Sequence, residues 1–133
     1  MKRIQLIIIT LLLLGGKTFA NIYNVESPDH HIKIHVNTDD SISFYVNLGN
    51  NEIIHKSSIG LILDKGYHIG NKVKVVSAKT SSVNEIIKAP FYRQNSFQNN
   101  YHELKLKFKN GFGLAFRVFN EGIAYRFFYI GNK

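Results

Sequence analysis

Apolar and polar residues alternate with a period of two through most of the chain after residue 20, and no apolar stripe of helical period reaches a useful length. Period two is typical of β-strands, because successive side chains point to opposite faces. The segment 101–108 shows it most clearly, with three apolar residues on one face and three charged residues on the other: Leu104, Leu106 and Phe108 against Glu103, Lys105 and Lys107. The pattern predicts an all-β domain.

The last third of the chain predicts a three-stranded meander over residues 101–108, 112–119 and 123–130, with Asn110-Gly111 as the first tight turn. Earlier candidate strands cover 31–36, 42–48, 57–63 and 72–79, and shorter ones cover 52–54 and 84–87. Many short strands joined by turn residues favour a sandwich or an open barrel. We predict an antiparallel β-sandwich.

Two segments depart from this pattern. Residues 89–100 are polar, aromatic and unpatterned, which predicts a long surface loop. Residues 123–130 are apolar on both faces, which favours a central strand with neighbours on both edges. The chain has only three residues beyond that strand, so we expect further covering elements from a missing part or from another chain.

The first twenty residues have the composition of a signal peptide. Lys2 and Arg3 precede an apolar run over 4–14, and Thr18-Phe19-Ala20 resembles a cleavage site. This run of eleven residues is too short to span a bilayer, so no stable membrane anchor is expected. The mature domain would cover 21–133 and be exported to the periplasm or the medium. Export removes Lys2, Arg3 and Lys17 and lowers the formal net charge from +8 to +5.

Four segments together resemble the N-terminal domain of glycoside hydrolase family 97. They are Val25-Glu-Ser-Pro-Asp29, Ser57-Ser-Ile-Gly-Leu61, Tyr101-His-Glu-Leu104 and Phe116-Arg-Val-Phe-Asn-Glu-Gly-Ile-Ala-Tyr-Arg-Phe127. The last is the most specific. The resemblance implies an exported, calcium-dependent α-glucosidase or α-galactosidase family, whose N-terminal β-super-sandwich is followed by a (β/α)8 catalytic barrel. It identifies residues 21–133 as an incomplete super-sandwich, with the barrel as expected partner and no calcium ligand or catalytic residue in this chain.

The carboxylates support a non-catalytic role. Glycoside hydrolysis needs two carboxyl groups, one of them protonated. Asp39, Asp40, Asp64 and Glu121 lie in predicted turns, and Glu103 shares a face with Lys105, which favours its ionised form. His31 and His35 share a face with Lys33, which disfavours a bound metal ion. We therefore expect no catalytic residue and no metal ligand.

Carbohydrate binding remains an alternative function. The 89–100 segment combines aromatic and planar polar side chains, the kinds that hold sugars, and the candidates are Tyr92, Arg93, Asn95 and Asn99. An α-linked oligosaccharide is then the expected ligand. The same segment could instead be a polar connection or an interdomain contact surface. A lysine stripe, Lys105, Lys107 and Lys109, with the many aromatic residues, suggests nucleic-acid binding, but predicted export argues against that partner.

The predicted function is therefore that of a non-catalytic N-terminal domain. It would support the catalytic barrel of a glycoside hydrolase that acts on α-glucosides or α-galactosides. A stand-alone exported carbohydrate-binding β-sandwich is the alternative.

Overall fold

The structure is a computed structural model that describes residues 21–90 and 93–131. The predicted signal peptide, residues 1–20, lies outside these ranges. Within them the chain forms ten strands and one short 3-10 turn, Asp64–Gly66. All strand pairs are antiparallel. The predicted all-β class is confirmed.

Two four-stranded sheets make up most of the domain. The first has the order β1-β2-β3-β4 and the second the order β10-β9-β8-β7. The strands of the first sheet are β1 (Ile22–Glu26), β2 (Ile32–Asn37), β3 (Ser43–Leu48) and β4 (Asn51–Ser58). The short pair β5 (Leu61–Ile62) and β6 (His68–Ile69) lies between the sheets in sequence. The strands of the second sheet are β7 (Val75–Lys88), β8 (Ser96–Phe108), β9 (Phe112–Phe119) and β10 (Gly122–Tyr129).

The sheets pack face to face with β1 on β8 and β2 on β9. Ile34, Val36 and Val46 of the first sheet and Leu106 and Phe116 of the second are buried in one cluster. Burial of apolar area is the main favourable term for such a fold. The predicted sandwich is confirmed, and so is the inward face of Leu104, Leu106 and Phe108.

Several predicted strand bounds are wrong. The candidates 52–54 and 57–63 form one strand, β4, followed by the two-residue β5. The candidates 72–79 and 84–87 merge into β7, since Thr80, Ser81 and Ser82 continue the pairing with β8. These polar residues hid the strand because an edge strand exposed on both faces needs no apolar alternation. Strand β1 was not predicted at all.

The first predicted tight turn is correct in place and different in detail. Gly111 alone adopts a positive φ, 81°, and its amide donates to the Phe108 carbonyl over 3.2 Å. The Asn110 side chain accepts from the Phe112 amide. The turn therefore depends on one left-handed glycine and one Asn side chain.

The expectation that the last strand has further neighbours, from a missing part or from another chain, stays a prediction. Strand β10 is an edge strand that pairs with β9, and no other described strand pairs with it. Its outward Phe128 packs against Gly113, where an added Cβ would lie 2.2 Å from the ring. The Lys105 ammonium lies 5.2 Å from the centre of that ring. On the outward face of β10, the Phe128 ring occupies the space left by the absent side chain of Gly113 on β9. The Lys105 ammonium of β8 then lies over that ring.

Candidate functional site

The β7–β8 hairpin extends past the end of β9 as a two-stranded arm, defined as residues 84–90 and 93–100 of the described chain. Strand β9 pairs with β8 only from His102 to Lys107, while the β7–β8 ladder continues to Lys88 and Ser96. The Ala89 amide donates to the Asn95 carbonyl over 2.9 Å and closes the ladder at its tip. Most described residues of the arm are exposed.

The sugar-binding candidates lie on this arm. Arg93 and Asn95 are exposed in the connection at the tip, and Asn99 is half-buried on β8. The Asn99 amide donates to Glu85 Oε1 across the ladder over 2.9 Å. Tyr92 lies outside the described residues. The carbohydrate role of Tyr92, Arg93, Asn95 and Asn99 stays a prediction, and calorimetric titration with maltose or melibiose is its test.

The predicted long loop 89–100 is wrong over residues 96–100, which belong to β8. Cross-strand side-chain pairs replace the missing apolar alternation there. Asn99 lies directly opposite Glu85 and donates to it, while Gln98, opposite Ile86, donates diagonally to Asn84. Amide and carboxylate pairs of this kind are polar on both partners, so a periodicity search does not find them.

A polar cleft of about 350 Å³ opens where β1 approaches β7 and β8. Glu26, His30 and His102 line it together with hydroxyl-bearing residues of β7. His102 Nδ1 lies 2.9 Å from the Glu26 carbonyl oxygen, and His30 Nδ1 lies 2.9 Å from Glu26 Oε2. Hydrogen bonds from Lys33, then His30, hold the pKa of Glu26 below its ordinary value. Glu26 is therefore ionised near neutral pH, which is unsuitable for a general acid.

The segment 25–29 leads from β1 into a turn before β2 that is anchored by one buried side chain. Ser27 is fully buried, and its hydroxyl accepts from the Ile32 amide and donates to Asp29 Oδ1 over 2.5 Å. Asp29 also accepts from the His31 amide and pairs with the His31 ring at 3.0 Å. The Ser27 hydrogen bond, followed by those of His31, lowers the pKa of Asp29 to about 2. The motif is thus a structural turn.

The two outermost motifs of the family meet in space. The Asp29 amide donates to Asn120 Oδ1 over 3.2 Å, across a separation of 91 residues. Asn120 lies in the two-residue turn between β9 and β10. The contact ties the β1–β2 turn of one sheet to the β9–β10 turn of the other. These residue types are accounted for by the architecture and need no catalytic role.

The outward face of the second sheet carries an ordered layer of charges. Arg117 Nε donates to Glu103 Oε2 over 2.8 Å, and the guanidinium lies 4.5 Å from the centre of the Tyr101 ring. The hydrogen bond to Glu103 raises the pKa of Arg117. Glu103 shares its face with Lys105, as predicted, but its ion-pair partner is Arg117 on β9. Lys109 lies beyond β8, so the predicted lysine stripe is limited to Lys105 and Lys107.

The next feature is the predicted cluster of His35 and Lys33 on β2. His35 and Lys33 lie on the same face of β2, and His35 stacks on Tyr45 with ring centres 4.3 Å apart. Burial, then Lys33, lowers the pKa of His35. In the described ranges, no three His, Cys, Asp or Glu side chains come together as a metal site. The expected absence of a calcium ligand in this chain stays a prediction.

Among the described residues, no helix is long and apolar enough to cross a bilayer.

Comparison with known proteins supports the family resemblance. The family model for the glycosyl-hydrolase 97 N-terminal region matches residues 25–132. A retaining alpha-galactosidase of Bacteroides thetaiotaomicron is 31% identical over all 133 residues, which make up 20% of that enzyme. The chain therefore spans about a fifth of this relative.

Solved structures share the fold. A glycoside hydrolase family 97 enzyme of Pseudoalteromonas sp. strain K8, in complex with acarbose, matches with a TM-score of 0.71 and 20% identity, over 79% of this chain and 17% of that one. A beta-arabinopyranosidase matches with a TM-score of 0.69 and 17% identity, over 79% of this chain and 18% of that one. The family match covers residues 25–132, and the observed sandwich agrees with it. This chain therefore belongs to the glycosyl-hydrolase 97 N-terminal family.

Proposed function

We propose that this domain is a non-catalytic module that supports the catalytic portion of a family 97 glycoside hydrolase acting on α-glucosides or α-galactosides. The observation that carries the proposal is the family match over nearly the whole chain, which corresponds to only 17–20% of the enzymes it resembles. The chemistry of the domain agrees with this role. Glu26, Asp29 and Glu103 each pair with a basic side chain, and catalysis of glycoside hydrolysis needs one protonated carboxyl group.

A chimaera tests the proposal. Residues 25–131 would replace the matched fifth of the Bacteroides thetaiotaomicron enzyme, and hydrolysis of p-nitrophenyl α-galactoside would be measured beside a variant that lacks this region. We expect the chimaera to hydrolyse the substrate, the deletion variant to lose activity, and the isolated chain to show none. A chimaera as inactive as the deletion variant, or a hydrolytically active isolated chain, would contradict the proposal.

A further inference from the structure

The arm leaves apolar side chains in water on both of its faces. Ile86 and Ile87 are neighbours on β7 and so point to opposite faces, with 68% and 46% of their surface exposed. Phe97, 37% exposed, lies opposite Ile87 across the ladder. Isolated apolar residues on a surface are ordinary, but Ile86 and Ile87, on adjacent rungs of a protruding ribbon, form a local apolar tip.

The tip is held in place by polar pairs nearer the sandwich. The Asn99 to Glu85 and Gln98 to Asn84 hydrogen bonds join the two strands on opposite faces of the ribbon. A two-stranded hairpin alone is marginally stable in water, so these pairs and the continuous ladder give the arm its order. The arm nevertheless contributes no described residue to the hydrophobic core. The exposed area of Ile86 and Ile87 is therefore available for contact with protein outside the sandwich.

The geometry points to the arm as the element that docks this domain onto the rest of a family 97 enzyme. This inference rests on the proposed function, and its occupant is the catalytic portion of the polypeptide. The matched relative is about five times as long as this chain, so the domain and the rest of that enzyme belong to one polypeptide. Because they are linked, the two parts meet at a high effective concentration. A ribbon that is apolar on both faces suits insertion into a groove, which buries both Ile86 and Ile87.

The domain contains a close control for Ile86. Ile62, on the two-residue strand β5, is 69% exposed, almost equal to Ile86, and belongs to a separate ladder. We would introduce Ile86→Ser and Ile62→Ser into both the chimaera and the isolated chain. Thermal midpoints and protection of the arm amides from hydrogen exchange would then be measured. In the isolated chain both substitutions should shift the midpoint by about 1 °C or less, because both side chains are already exposed.

In the chimaera, Ile86→Ser should lower the midpoint by about 3 °C or more and reduce arm protection, while Ile62→Ser should do neither. An active chimaera in which the two variants behave alike would overturn the docking role and leave the proposed function intact. A chimaera as inactive as the deletion variant would overturn both. If Ile86→Ser instead dissociates a dimer of the isolated chain, the occupant is a second copy and the inference is wrong.

Discussion

The two edge strands of the second sheet, β7 and β10, differ in how they meet solvent. Strand β7 presents Lys79, Thr80, Ser81 and Ser82 along its length in the sandwich and has a register shift near Val76. Charged and polar residues and irregular pairing are common protections of an exposed edge. Strand β10 has aromatic residues on both faces and pairs with β9 in unbroken register.

The faces of β10 differ from each other too. On the outward face, the Phe128 ring packs against Gly113 and lies under the Lys105 ammonium. On the inward face, Tyr125 and Tyr129 are 49% and 60% exposed, although Tyr125 contacts Phe44 of the opposite sheet. The part of β7 that lies in the sandwich is thus protected as an exposed edge, while the inward side of β10 leaves two aromatic rings about half exposed or more.

The largest expected effect tests the covering of Phe128. Gly113→Ala would place a methyl group into the ring and near the Leu106 carbonyl, so we expect a loss of about 1–3 kcal/mol in the free energy of unfolding. Gly122→Ala, with no atom within 4 Å of the added Cβ, is the matched control and should change stability by about 0.5 kcal/mol or less. Urea unfolding of both variants measures the difference. Equal stabilities would show that Phe128 does not depend on Gly113 for its place.

The second prediction concerns the open side of β10. Residues 21–133 should bind a hydrophobic dye, and replacing Tyr125 and Tyr129 together by Thr should lower the fluorescence, because these two rings are 49% and 60% exposed on one face of β10. Val76→Thr on β7 removes a residue of similar exposure, 58%, from the protected edge and should leave the fluorescence unchanged. A dye-silent wild-type domain, or equal losses in both variants, would remove the distinction between the edges.

The smallest expected effect is a pH dependence at the turn between β1 and β2, away from both edge strands' exposed faces. The folded-state pKa of Asp29 is lowered from 3.8 to about 2, chiefly by Ser27. Its ionised form therefore stabilises the fold fully above about pH 4, and this contribution disappears as the pH falls toward 2. Asp29→Asn should flatten that part of the stability profile in urea melts at pH 6 and pH 3. An unchanged slope would assign the acid sensitivity to other groups, of which Glu26 is the first candidate.

Sequence periodicity predicted the inward faces well where strands are covered on one side. Leu104, Leu106 and Phe108 are all buried, as alternation required. It failed for Thr80–Val83 and for residues 96–100, because an edge strand or a protruding ribbon meets solvent on both faces and leaves no apolar signal. Periodicity also did not show how Phe128 is accommodated within this chain, since the space for its ring comes from Gly113 on another strand.

The candidate site was predicted only in part. The sequence located Arg93, Asn95 and Asn99 in one segment, but it could not show that the Asn99 amide is used by Glu85 on the neighbouring strand. Nor could it show that Glu103 pairs with Arg117, since that partner is chosen by strand order. In the sequence, Ile86 and Ile87 look like any apolar strand residues. Their exposure follows from the β7–β8 ladder, which extends beyond the end of β9.

By itself the sequence determined the all-β class, the turn positions and the family, because these depend on local alternation, on turn chemistry and on short motifs. Only the tertiary structure decided which strands lie at the edges, that Asp29 meets Asn120 across the sandwich, and that the β7–β8 ladder projects as an arm. The physical reason is that edge position, cross-sheet contact and exposure arise from pairings between residues far apart in the chain, which leave no periodic trace within either segment.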